Sequence, residues 1–198
     1  MDRKTQILKI TKAKGIIKAS DIEAKGISRS YLYVLHNFGL LQKITRGLYA
    51  LPDTHVSEHI TLIEIAKRVP KAVVCLISAL SFYDPTTQLP HEVWITIPRG
   101  AWRPKTDYPS LNLTYASKDM YSYGVLEHKI NGISVKIYSP AKTIADCFKF
   151  RNKIGLDIAI EALRKGWETK KIDMDELVKA AKICKMSKVI RPYLETIV

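Results

Sequence analysis

The stretch Ser20–Leu51, SDIEAKGISRSYLYVLHNFGLLQKITRGLYAL, decides the reading of this chain. Ser20-Asp21-Ile22-Glu23 has the spacing of a capping box, with Ser20 at the N-cap and Glu23 at N3 reaching back. Gly26 interrupts that helix after about two turns. Ile27 follows, and Ser28 is placed to cap a longer helix running through Leu32, Leu35 and Phe38 to Gly39. Leu41 to Leu51 then reads as two short strands around Thr45-Arg46-Gly47, where Gly47 can take positive φ. Two capped helices joined by a short Gly-containing turn predict a helix-turn-helix, and a hairpin directly after them predicts a wing.

Working outward, Ile7, Leu8 and Thr11 recur at helical spacing while Arg3, Lys4, Lys9 and Lys12 take the other face. Gly15 supplies a stop, and Gly15-Ile16-Ile17 suits a small strand. Residues 1–52 thus form one predicted winged helix-turn-helix domain. In its third helix Leu32 and Leu35, with Tyr31 and Phe38, are expected to point inward. Arg29, Ser30, Tyr33, His36 and Asn37 are left for the outer face, headed by Ser28. The first residues of a recognition helix usually enter the major groove. Arg29 suits a bidentate contact to guanine and Asn37 a contact to adenine, whereas Ser28, Ser30 and Tyr33 suit phosphates or water-bridged contacts. On the wing, Lys43, Thr45 and Arg46 are placed for the DNA backbone or the minor groove. The expected partner is double-stranded DNA.

Charge supports the same end of the chain. The 198 residues carry 32 Lys and Arg against 19 Asp and Glu, a formal net charge of +13. Ten basic and three acidic side chains fall within residues 1–52, a net +7. The other 146 residues add only +6, so positive charge is about three times denser in the first quarter. No apolar run is long enough to span a bilayer, and no apolar segment follows Met1-Asp2-Arg3-Lys4 as in a secretory signal. Cys75, Cys147 and Cys184 are odd in number and widely spaced, which suits neither a disulfide framework nor a zinc site. Buried thiols in a cytoplasmic protein are the expectation.

Pro52-Asp53 ends the wing, and a polar linker precedes a second predicted domain, residues 57–198. Ser57 can cap a helix carrying Ile60, Ile63 and Ile65. Ala72–Leu76 reads as a buried strand and Ser78–Tyr83 as a short helix. Glu92–Pro98 and Leu111–Tyr115 alternate as strands, with Gly100–Lys105 an exposed loop between them. Trp102, Arg103 and Lys105 in that loop combine an aromatic with cations, a nucleic-acid-binding composition as well as an ordinary loop. Asn131-Gly132 between apolar flanks is a hairpin signal. Ser139-Pro140 starts a helix, Gly155 to Lys165 makes another, and Asp173 and Glu176 cap the next. The fold class is α+β: an N-terminal winged helix-turn-helix, then a mixed α/β domain with a helical C-terminal tail.

Catalytic and metal signatures are missing. There is no Gly-rich phosphate loop, no G-x-S-x-G and no H-E-x-x-H. Asp157 and Glu161 lie one helical turn apart but read as a solvated face. His55, His59 and His91 have no partner at ligand spacing, and Asp146, within Ile144–Phe148, reads as a structural hydrogen-bonding group. No enzyme activity, cofactor or metal is expected. A nuclease targeted by the winged helix is the alternative, but it would need clustered carboxylates to hold metal, and the surroundings of Glu92 offer no such set.

As a whole the chain resembles the AbiEi family, antitoxins of type IV toxin–antitoxin systems. The resemblance rests on Gly39-Leu40-Leu41, Arg46-Gly47-Leu48-Tyr49-Ala50-Leu51, Ser78-Ala79-Leu80, Glu92-Val93-Trp94-Ile95-Thr96 and the segment Ser139 to Asp146 with its Pro-x-x-Thr-x-x-Asp pattern. It implies a transcriptional autorepressor that binds repeats in its own promoter. It also implies antagonism of a nucleotidyltransferase-like toxin through the C-terminal domain, without a stable toxin–antitoxin complex. No catalytic residue is implied. A plain regulator outside any toxin operon is the remaining alternative, and the neighbouring gene separates the two.

Overall fold

The computed structural model describes residues 2–45, 47–53, 59–84, 86, 92–106 and 109–196. The chain divides into two units, one of Met1–Ile60 with Lys129–Ile133, the other of Thr61–His128 with Ser134–Val198.

In the first unit, α1 (Arg3–Lys14) leads through Gly15 into β1 (Ile16–Lys18), α2 (Ala19–Glu23) and α3 (Ser30–Asn37). The hairpin strands β2 (Gln42–Thr45) and β3 (Leu48–Ala50) follow. Among the described residues the sheet order is β1-β3-β2, both pairs antiparallel. Ile7 of α1, Ile17 of β1, Ile22 of α2, Leu32 and Leu35 of α3, with Ile27 and Leu41, make one buried cluster. Thr11, at one helical turn from Ile7, is buried too and satisfies its hydroxyl on the Ile7 carbonyl at 2.8 Å.

The second unit begins with α4 (Ile60–Arg68), β4 (Val73–Val74), α5 (Leu76–Tyr83), β5 (Val93–Pro98) and β6 (Leu111–Ala116). Next come α6 (Lys118–Ser122), β7 (Val125–Ile130) and β8 (Ile133–Tyr138). The C-terminal part is helical: α7 (Pro140–Lys149), α8 (Arg151–Ile154), α9 (Leu156–Glu168), α10 (Met174–Ile183) and α11 (Ser187–Leu194). The sheet, ordered β6-β5-β4-β8-β7 among the described residues, is mixed: β5–β6 and β4–β8 are parallel, β4–β5 antiparallel. The turn from β7 to β8 has both Asn131 and Gly132 at positive φ, 48° and 74°. That is the conformation a two-residue hairpin of this type requires.

Several local expectations shift. The apolar run Ala72–Leu76 is not one strand. Leu76 turns to φ 47° and begins α5, leaving β4 only two residues long. The helix expected at Ser78 therefore starts two residues earlier. The short α6, which sequence reading missed, lies directly after β6. Ser57, His55 and His91 lie outside the described residues. No helix among the described residues is long and apolar enough to cross a membrane.

Helix α7 is the centre of the second core. Ser139 Oγ accepts from the Lys142 N–H at its start, with Pro140 in the first turn. Every residue from Ala141 to Phe148 is buried, so the helix must bury polar groups on some side. It does so as a set. Lys142, 1% exposed, pairs with Asp146 and sits 4.3 Å from the Tyr138 ring centroid. Cys184 Sγ donates to Asp146 Oδ1 at 3.3 Å, tying α10 to α7. Thr143 Oγ1 donates to the Tyr138 carbonyl at 3.2 Å. Gly124 lies close against Lys142: a Cβ there would stand 2.7 Å from Lys142 Cβ, and its φ of +69° already favours glycine.

Asp146→Ala is expected to strand a buried ammonium and cost about 3–5 kcal/mol. The double replacement Lys142→Met with Asp146→Leu should recover most of that loss, since apolar groups need no partner there. Urea unfolding of the two variants checks this. A single variant as stable as the parent would remove the pair from the account.

Candidate nucleic-acid interface

The local sequence sets α3 at a fixed angle to α2. Strand β1 runs into α2 without an intervening residue, so the helix begins at Ala19 rather than after Ser20. Its N-terminal bond is Lys18 N–H to Asp21 Oδ2 at 3.0 Å. The capping carboxylate is therefore Asp21, and neither Ser20 nor Glu23 takes the part expected of it. Glu23 instead lies 3.9 Å from Arg29. Gly26 takes φ 70° in the turn, and the Ile27 N–H returns to the Ile22 carbonyl at 3.2 Å. That bond holds Ile27 in the core and delivers Ser28 to the head of α3. Ser28 Oγ accepts from the Ser30 N–H at 3.3 Å and pairs with Ser30 Oγ at 2.9 Å.

From this start the helical phase distributes side chains. Leu32 and Leu35 are fully buried. Arg29, Ser30, Tyr33 and Asn37 are exposed, Tyr33 at 63%. Among the described residues Arg29 is held by the 3.9 Å approach to Glu23, both side chains being half or more exposed. Such a pair contributes about 0–1 kcal/mol and leaves the guanidinium free to re-aim. Lys43 is exposed on β2, directly opposite Tyr49 of β3. Thr45 ends β2 and pairs with Leu48. Arg46 lies outside the described residues.

These positions converge. An open hollow of about 470 Å³ is lined by Ser28, Arg29, Ser30 and Tyr33 from the head and first turns of α3, and by Lys43 and Tyr49 from the wing. Two cations, two serine hydroxyls and two phenols face one concavity, a set that donates hydrogen bonds to anionic or carbonyl oxygens. Tyr49 was not singled out by the sequence, although the period-two pattern of the wing strand carries it to the same face as Lys43.

His36 and Asn37 do not join that hollow. The His36 Nδ1 bonds the Leu41 carbonyl at 3.1 Å, and its ring meets Tyr49 edge-on at 6.4 Å. This half-buried imidazole ties the end of α3 to the start of the wing. Phe38 also departs from expectation: it is 68% exposed, with Lys4 Nζ 5.2 Å from its ring centroid. Tyr31 is only partly buried and lies 5.8 Å below Arg3.

Elsewhere several titratable groups have structural partners. Lys165 pairs with Glu161 at 2.9 Å. All three cysteines are free and buried, and burial pushes the Cys75 and Cys184 thiols up to about 12. Among the described residues no group of three His, Cys, Asp or Glu is placed to hold a metal ion.

Because His36 holds α3 to the wing, His36→Ala should lower stability by about 1 kcal/mol through its lost hydrogen bond. It should leave the salt dependence of DNA binding unchanged. Thermal unfolding and a salt titration read the two effects separately. A reduced salt slope with unchanged stability would instead make His36 a phosphate contact.

Residues 6–52, roughly a quarter of the chain, match the family model described as a transcriptional regulator, AbiEi antitoxin. No curated protein matches the chain. The matched segment runs from within α1 through the wing hairpin and includes the elements that build the hollow. Over this stretch the chain is similar to the AbiEi antitoxin transcriptional regulators.

Proposed function

We propose that the chain is a sequence-specific DNA-binding autorepressor and the antitoxin of a type IV toxin–antitoxin system. In this reading residues 1–52 bind repeats in its own promoter, and residues 57–198 counter a nucleotidyltransferase-like toxin without forming a stable complex with it. The observation that carries the DNA-binding half is the shared hollow of Arg29, Ser30, Tyr33 and Lys43. A recognition helix and a wing whose donors face one concavity can address one DNA segment together. The density of positive charge in the same quarter of the chain supplies the long-range attraction.

Roles follow from position. Arg29, at the head of α3 and weakly paired, is the base-reading residue, because a helix entering the major groove puts its first turn deepest. Ser28 and Ser30 are engaged with each other and with the helix N-terminus, which suits them to a phosphate at that end. Tyr33, on the next turn, and Lys43, on β2, flank the groove and contact the backbone. Arg46 and Thr45 keep the wing-tip role given by their place in the sequence. Asn37 is exposed at the far end of α3 and reads no base in this arrangement. No enzymatic step is part of this reading.

The direct experiment is a gel-shift titration against the gene's own upstream region, joined to co-expression with the neighbouring gene's product. Retarded operator DNA and relief of growth arrest are both expected. Relief that depends on a stable complex isolated from cells would overturn the antagonism as proposed. Arg29→Ala should weaken operator binding by about 1–3 kcal/mol while sparing random DNA. Equal losses on both would remove base reading from Arg29. Lys43→Ala should weaken binding to every sequence and lower the slope of log K against log salt by about 0.9; an unchanged slope would take the wing strand off the DNA.

A further inference from the structure

β5 and β6 are neighbours and run parallel, in register from Val93 opposite Leu111 to Pro98 opposite Ala116. A parallel pair needs a crossover, and a helix usually provides it. Here residues 99–110 make the crossover, and those of them that are described contain no helix. Long irregular connections inside a compact domain are uncommon and tend to carry binding.

The root of this loop is fixed. The Arg99 N–H bonds the Ala116 carbonyl at 2.8 Å, and the Ala101 N–H bonds the Pro98 carbonyl at 3.0 Å. Just beyond the root, Trp102 is 95% exposed. An indole has more to gain from contact than most side chains, and this one is left almost wholly in water. Arg99, Arg103 and Lys105 are exposed around it, and among the described residues none of the three has an ion-pair partner. An open hollow of about 430 Å³ beside them is lined by Arg103 and Lys105 and floored by Leu111 and Leu113 of β6. Tyr115, next on that face of the strand at period two, is 44% exposed.

An acidic peptide would satisfy the cations but offers the indole no flat partner. A duplex offers phosphates, but its bases are already stacked on one another. Unpaired polynucleotide offers both a free π-face and regularly spaced phosphates. We propose that the Trp102 loop binds unpaired nucleic acid, with a base stacked on Trp102 and the flanking phosphates on Arg103 and Lys105. The site is independent of the winged helix.

The test uses the full chain carrying Arg29→Ala and Lys43→Ala, which weaken the winged helix. Fluorescein-labelled homopolymers of U or dT, about twelve nucleotides long to cover one such site, are titrated by anisotropy. Salt-dependent binding is expected, with U against dT telling RNA from DNA as the source of the strand. Adding Trp102→Ala should reduce affinity about tenfold or more, as loss of one stacked base does. Trp102→Phe, which keeps a π-face, should recover most of it. Circular dichroism of Trp102→Ala should match the parent, since the side chain is almost wholly exposed. Undiminished binding by Trp102→Ala would overturn the proposal. A duplex competing as well as the single strand would do the same, as would polyglutamate binding more tightly than either homopolymer.

Discussion

A helix of eight residues does not hold itself together in water; α3 is held by what Leu32 and Leu35 bury. Those two leucines pack with Ile7, Ile17, Ile22, Ile27 and Leu41 in the buried N-terminal cluster. Fixing them fixes the rotation of α3 about its axis. Once they point inward, a period of 3.6 residues sends Ser30, Tyr33 and Asn37 outward. The wing is aimed by the same core, through Leu41 before it and Leu48, which is fully buried within it. The outward pair Arg29 and Lys43 line one hollow above this core.

This dependence explains what was legible in the sequence. The order of helix, turn, helix and hairpin could be read from the spacing of Gly26, Gly39 and Gly47, and the inward leucines from their periodicity. Reading failed where the period stops applying. Phe38 follows the last helical residue, Asn37, and takes the C-cap conformation of φ −80°, ψ 4°, so helical spacing no longer assigns its face. His36 looked outward by count, but a donor near a helix end finds a carbonyl in the following loop, and that competing bond turns it away. At α2 the capping pattern at Ser20 was real as a pattern, yet strand pairing by β1 set the helix start first. The run Ala72–Leu76 has strand composition throughout, and only the backbone reversal at Leu76 divides it.

In the second unit the residues that carried the resemblance have physical jobs. Pro140 opens α7, Thr143 closes a bond to the Tyr138 carbonyl, and Asp146 neutralises Lys142 while accepting from Cys184. Lys142 itself was invisible to sequence reading, because a lysine on a helix is ordinarily solvated. Its burial follows from a helix enclosed on every side. The pattern Pro-x-x-Thr-x-x-Asp is accounted for by packing, without chemistry at a substrate. The thiols belong to the same picture: at the protonation states set by burial they are small apolar fillers.

The pairing of β1 with β3 has a consequence for the thermodynamics of association. The wing of this protein is not a free hairpin. Its second strand is zipped to β1 from Ile16 opposite Ala50 to Lys18 opposite Leu48, and the Gly47 carbonyl accepts from the Ala19 N–H at 3.0 Å, at the first residue of α2. The strands that present Lys43 and Tyr49 are thus ordered when the chain folds, before any ligand arrives. A loop that had to be ordered on contact would lose conformational entropy in the binding step itself, about 1–2 kcal/mol for each residue fixed. Here that loss belongs to folding, and in the proposed complex the contacts of Lys43 would be offset by little beyond the ordering of its own side chain.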